Sequence, residues 1–136
     1  MLNTKQVEQL LLEEIGKFDG LAQDCLTFHN APLKNGKPFT PPKNKLWSKV
    51  FINYSGSVNA ELGRKNTVRD FGILSIQCFA PLNSGTLAMA ELVDDWRDYL
   101  QSFTSDSLEV YLIHAPQDMD DPNFYAKIIR AEFRVN

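Results

Sequence analysis

The residues of this chain able to do chemistry are few and scattered. Its two histidines, His29 and His114, lie far apart, and neither stands beside a nucleophile in a recognisable motif. His114 closes an apolar run and reads as a hydrogen-bonded strand end. Carboxylates are closer together: Glu91 with Asp95, and Asp94 with Asp98, sit at i, i+4, so a helix would gather all four on one face. A general acid/base pair could be drawn from Asp94, Asp95 and Asp98, but no glycine-rich phosphate loop or nucleophile elbow accompanies them. Asp118-Met119-Asp120-Asp121-Pro122-Asn123 has the outline of a calcium loop, yet Pro122 occupies the fifth ligand position and no glycine follows, so a turn is expected. Cys25 and Cys78 form no Cys-x-x-Cys pair and read as small buried hydrophobes. No cofactor and no metal site are expected, nor an enzyme.

Charge is the stronger signal. The net charge is −3, but between Lys34 and Arg69 eight basic residues meet a single acid, Glu61, giving +7, while the remainder holds six basic and sixteen acidic residues, or −10. Such segregation fits a nucleic-acid surface, or a protein that docks its basic side on an acidic partner, another copy of itself included. Phe39, Trp47, Phe51 and Tyr54 interleave the basic block, as a DNA-binding module would require. A basic solvated loop is the plainer alternative.

The elements that must carry these charges follow from periodicity. The 136 residues are enough for one domain, and no run reaches the roughly 20 apolar residues of a membrane span. Met1-Leu-Asn-Thr-Lys-Gln6 lacks a signal-peptide core, so synthesis in a cytosol is expected. Asn3 and Gln6 have capping-box spacing, and Val7, Leu10, Leu11, Ile15 and Phe18 make the stripe of a first helix ending near Gly16 or Gly20. Four prolines (Pro32, Pro38, Pro41, Pro42) then predict an extended, Pro-rich arm. Residues 46–54 alternate as a strand, with Val50, Ile52 and Tyr54 on one face and Trp47 and Phe51 on the other. Residues 55–68 read as a long inter-strand loop. Phe71 to Phe79 is a second strand with Leu74, Ile76 and Cys78 on one face, ended by Pro81. Asn83 or Ser84 is expected to cap a second helix whose stripe is Met89, Leu92, Val93, Trp96, Leu100 and Phe103. Strands at 108–114 and 125–135 complete the chain, with 115–123 as a loop. The expected fold is α+β: a mainly antiparallel or mixed four-stranded sheet with two amphipathic helices packed on it.

The order of these elements resembles the tail terminator, or tail completion, proteins of long-tailed bacteriophages (siphophages) and prophages. The resemblance rests on Pro38-Phe39-Thr40-Pro41-Pro42 followed by Trp47 in a strand, and on Leu62-Gly63 in the inter-strand loop. Arg69-Asp70-Phe71-Gly72-Ile73 opens the next strand, and Phe79-Ala80-Pro81 leads to Gly85-Thr86-Leu87. It covers residues 28–103, and the order of the pieces, each a strand-and-turn pattern, carries it.

The resemblance implies a structural subunit, made in the bacterial host cytoplasm and ending in the virion at the neck end of the tail. It would assemble as a homo-oligomeric ring, hexameric by that likeness, that caps the tail tube, stops its polymerisation and offers the surface to which a head-completion or connector protein joins. Its partners would be itself and the tail tube protein, with DNA passing through the lumen without sequence-specific binding and no membrane involved. Another ring-forming neck protein and a small DNA-binding module are the alternatives. A ring needs two different patches on each subunit. The expected interface residues are Phe39 in the arm, Glu61, Arg64, Lys65 and Arg69 in and beside the loop, and Glu91, Asp94, Asp95 and Asp98 on the helix.

Overall fold

The computed structural model describes residues 2–59, 68–103, 105 and 107–136. Helix α1 spans Thr4–Ile15. Asn3 Oδ1 accepts the Gln6 amide and Gln6 Oε1 accepts the Asn3 amide, both at 2.9 Å, so two of the helix's free N–H groups are satisfied as the spacing predicts. Val7, Leu11, Ile15 and Phe18 are buried. Strand β1 (Leu26–Phe28) follows, then β2 (Trp47–Asn59), β3 (Val68–Pro81), helix α2 (Leu87–Gln101), β4 (Leu108–Ile113), β5 (Gln117–Met119) and β6 (Phe124–Val135).

The fold is α+β, with a mixed sheet of six strands in the order β1-β2-β3-β6-β4, and β5 beside β4 on the same flank of β6. β1 runs parallel to β2 and every other pairing is antiparallel. The expected count of four is therefore corrected to six. Both additional strands have three residues, and β5 lies inside the expected 115–123 loop.

The inter-strand loop is also shorter than expected. β2 continues to Asn59 and β3 starts at Val68, the two being register partners. Ser55, Gly56 and Ser57 read as loop residues, but Gly56 and Ser57 pair with Phe71 and Asp70, and Ser55 is the extra residue of a bulge between Tyr54 and Gly56. Pairing of β3 with β6 stops at Phe71 and Arg134, so residues 57–59 and 68–70 form a two-stranded ribbon beyond the rest of the sheet.

Both helices lie on one face. Val50, Leu74, Ile76, Ile129, Ala131, Phe133 and Leu108 form a core with the buried residues of α1 and with Met89, Leu92, Val93, Trp96 and Leu100 of α2. Trp96 stacks on Phe18 with centroids 3.7 Å apart, and the Tyr99 hydroxyl donates to the Glu14 carbonyl, which ties α2 to α1. A polar chain is sealed inside: Trp96 Nε1 donates to Ser48 Oγ at 3.1 Å, and that hydroxyl lies 3.6 Å from Cys78 Sγ. Burial pushes the Cys78 thiol up to about 12. Cys25 is raised as well, by burial first and then by the adjacent Asp24 carboxylate. The expected cap of α2 is corrected: Thr86 is the N-cap without a side-chain bond, while Ser84 Oγ donates back to the Pro81 carbonyl at 2.7 Å.

Candidate assembly surface

On the face without helices, Trp47, Phe79 and Ala126 are neighbours across β2, β3 and β6 and make a second small core with Cys25. Trp47 stacks on Phe79 at 4.0 Å and Phe124 meets Trp47 edge-on at 5.4 Å. Phe39, from the connection between β1 and β2, is half-buried against this cluster with its ring 5.5 Å from that of Trp47. Its anchor is thus on its own chain.

The same connection walls a groove of 580 Å³ that opens along β1. Leu26, Phe28, Leu33 and Phe39 give it an apolar lining, and Lys34 and Lys37 add positive charge. Short backbone bonds between Lys34 and Lys37, 2.9 and 3.0 Å, with Asn35 and Gly36 at positive φ, fold this rim into a tight turn.

Elsewhere on the helix-free face, which also carries the half-buried Phe51, Phe71 and Ile73, polar side chains are internally paired. Arg134 donates to Glu109 at 2.7 and 3.0 Å and lies over the Tyr111 ring, His114 Nε2 is 2.6 Å from Glu132, and Arg130 donates to Gln117 at 2.8 Å. These pairs bind the β4 and β5 flank to β6. His114 thereby takes the role of a hydrogen-bonded strand end, as its position predicts. Asp121 Oδ1 accepts the amides of Asn123 and Phe124 at 2.8 and 3.0 Å, forming the turn expected in place of a calcium loop. Among the described residues, no three His, Cys, Asp or Glu side chains gather closely enough to hold a metal ion. No helix among them is long and apolar enough to cross a membrane.

The helix carboxylates emerge as the spacing requires. Glu91, Asp94, Asp95 and Asp98 are all exposed on α2, opposite its buried stripe, and no ion pair reaches them among the described residues. Arg97, beside them in sequence, is half-buried and its Nε is buried without a hydrogen-bond partner. Arg69 lies on the β2–β3 ribbon, also half-buried, and forms no ion pair with the α2 acids. Glu61, Arg64 and Lys65 lie outside the described residues, as does Leu62-Gly63. The groove over β1 is a feature sequence reasoning misses, because it exists only once β1 is docked on β2.

No family model matches the chain and no curated protein matches it. Eleven chains among solved structures are similar in fold. One superposes with a TM-score of 0.67 at 10% sequence identity, covering 100% of this chain and 97% of that one. The likeness is one of fold and extends over nearly the whole of both chains.

Proposed function

We propose that this chain is a phage or prophage tail terminator: a non-enzymatic subunit that closes into a ring, six-membered by the family likeness, on the end of the tail tube and joins it to the head. The observation that carries this reading is the row of four exposed carboxylates on α2, a rigid helix whose other face is fixed in the core. Like charges at i, i+4 each cost a few tenths of a kcal/mol in isolation, and an arriving cation relieves them. Arg69, with Arg64 and Lys65 nearby in sequence, is the cationic set of a neighbouring copy that would meet this row. The Pro-rich connection between β1 and β2 acts as the arm: prolines leave little backbone entropy to lose on docking, and Phe39 holds the arm on its own domain.

The DNA-binding alternative is weaker because three of its four aromatic residues are engaged within the chain, Tyr54 alone of the four being exposed. Trp47 is stacked on Phe79, Phe39 leans on Trp47, and Phe51 lies beneath His29 at 4.8 Å. The test is tube length. The tail tube protein of the same phage or prophage, polymerised with and without this chain, is imaged by negative stain. The proposal expects tubes that stop growing and carry a ring at one end; tubes of unchanged length with bare ends would overturn it. Arg64→Glu with Lys65→Glu should remove the rings while the monomer stays folded by circular dichroism.

A further inference from the structure

The sheet ends in two open edges of opposite character, and we propose that these edges join successive copies of this chain, the β5 edge of one copy lying in the β1 groove of the next. The inference rests on the ring reading above and names the contact that would close it.

Backbone directions come first. The His29 amide donates to Val50 at 2.8 Å, so alternate residues of β1 face β2 while Leu26 and Phe28 turn their amides and carbonyls outward. The Phe28 carbonyl is taken by the Ala31 amide at 3.2 Å, and no further strand lies beyond β1 among the described residues. On the far flank the His114 amide donates to Arg130, so even-numbered residues of β6 face that flank; Asp118, in register with Lys127, therefore turns its own backbone outward. An open edge is a template for another strand. β5 runs opposite to β1 in this sheet, so continuing the sheet into a second copy without flipping it gives an antiparallel join.

Charge and apolar surface then match the two edges to each other. The β1 groove carries Lys34 and Lys37, two cations against the single carboxylate of Asp24, around Phe28, Phe39 and an exposed Leu33. The opposite flank carries exposed Asp118 and Asp120 at β5 and, further along β6, exposed Tyr111 and Leu112 on β4. Asp118 also contacts Lys127 at 2.9 Å, yet its side chain remains 86% exposed and able to accept a second cation. A heterologous contact of this kind either closes or propagates, and a closed ring leaves no open sheet edge. The occupant favoured by this complementarity is thus a second copy, not an unrelated peptide.

The experiment is a charge swap read by light-scattering mass at matched concentration and low salt. Variant one carries Lys34→Glu and Lys37→Glu; variant two carries Asp118→Lys and Asp120→Lys. Each alone should lose at least about tenfold in association because like charges face each other at every contact. Mixed in equal amounts, the two should recover assembly, since acidic grooves then meet basic edges and basic grooves meet acidic edges around the ring. Circular dichroism melts of each variant establish that the monomer is folded, and recovery on mixing requires it independently. Assembly of both variants at the parent's affinity would overturn the edge pairing while leaving a ring through other surfaces. Failure of two folded variants to recover on mixing would overturn it too, as would a parent chain monomeric throughout. Recovered assembly that leaves tail tubes uncapped would support the edge pairing and count against the terminator reading.

Discussion

Among the described glycines, Gly72 stands closest to its neighbours. It lies on β3 in register with Phe133 of β6 and Tyr54 of β2. A Cβ placed there would stand 2.2 Å from Phe133 Cζ, 2.5 Å from its Cε1 and 2.7 Å from the Asn53 carbonyl oxygen. Carbon atoms settle about 3.5–4.0 Å apart, so the methyl group of Gly72→Ala overlaps the ring by more than about 1 Å. Phe133 is fully buried and the Asn53 oxygen belongs to a paired strand, so neither side yields freely. Moving the ring off its rotamer costs about 0.5–1.5 kcal/mol and overpacking a core about 1–3 kcal/mol, so a loss of about 3 kcal/mol is expected. In urea, with a slope of about 1–3 kcal/mol/M, that lowers the midpoint by about 1–3 M. The decisive comparison is a double-mutant cycle: Phe133→Leu alone opens a cavity, but in Gly72→Ala it makes room, and the pair should cost at least about 1 kcal/mol less than the sum. A Gly72→Ala protein within about 0.5 kcal/mol of the parent, or strict additivity with Phe133→Leu, would refute the packing described.

Three further outcomes are expected. Ser48→Ala leaves the Trp96 indole N–H buried without an acceptor and should cost about 1–3 kcal/mol by chemical denaturation, whereas a neutral result would mean that the Trp96–Ser48 bond contributes nothing. The Cys78 thiol, held in the folded state at about 12 against 9.0 when unperturbed, adds stability that is complete below pH 9.0 and falls as the pH rises towards 12. The slope is about 1.4 kcal/mol per pH unit, so the parent should lose stability between pH 9.5 and 11 more steeply than Cys78→Ala, and equal slopes would contradict the burial argument. Phe39→Ala should free the β1–β2 connection at a cost of about 1 kcal/mol, shifting Trp47 emission to the red with Trp96 still sealed; unchanged emission would place the connection elsewhere.

Much of this architecture was legible because it is written in long periodic runs. Val7, Leu11 and Ile15 at helical spacing, and Leu74, Ile76 and Cys78 at every second residue, report burial on one face whatever the detailed packing. β1 was not legible, since three residues carry no period and Leu26-Thr27-Phe28 is a strand only through its parallel partner. β5 is polar and just as short, and its identity comes from β6. Ser55-Gly56-Ser57 reads as loop because turn residues also serve a bulge. The cap of α2 is not legible in the sequence because Ser84 has an alternative acceptor in the Pro81 carbonyl, which no local pattern reveals. The candidate surface divides in the same way. The α2 carboxylates follow from i, i+4 spacing alone, while the groove over β1 depends on a non-local pairing and on a connection whose course is set by Phe39 meeting Trp47.

The most direct test of the ring account is the solution mass of the purified chain across concentration and salt, with negative-stain images of the same samples. A closed species of about six copies of the 15.5 kDa chain, dissociating as added salt screens the opposed charges, is the predicted result. A single-chain mass at every concentration, unaffected by salt and without rings in the images, would contradict it.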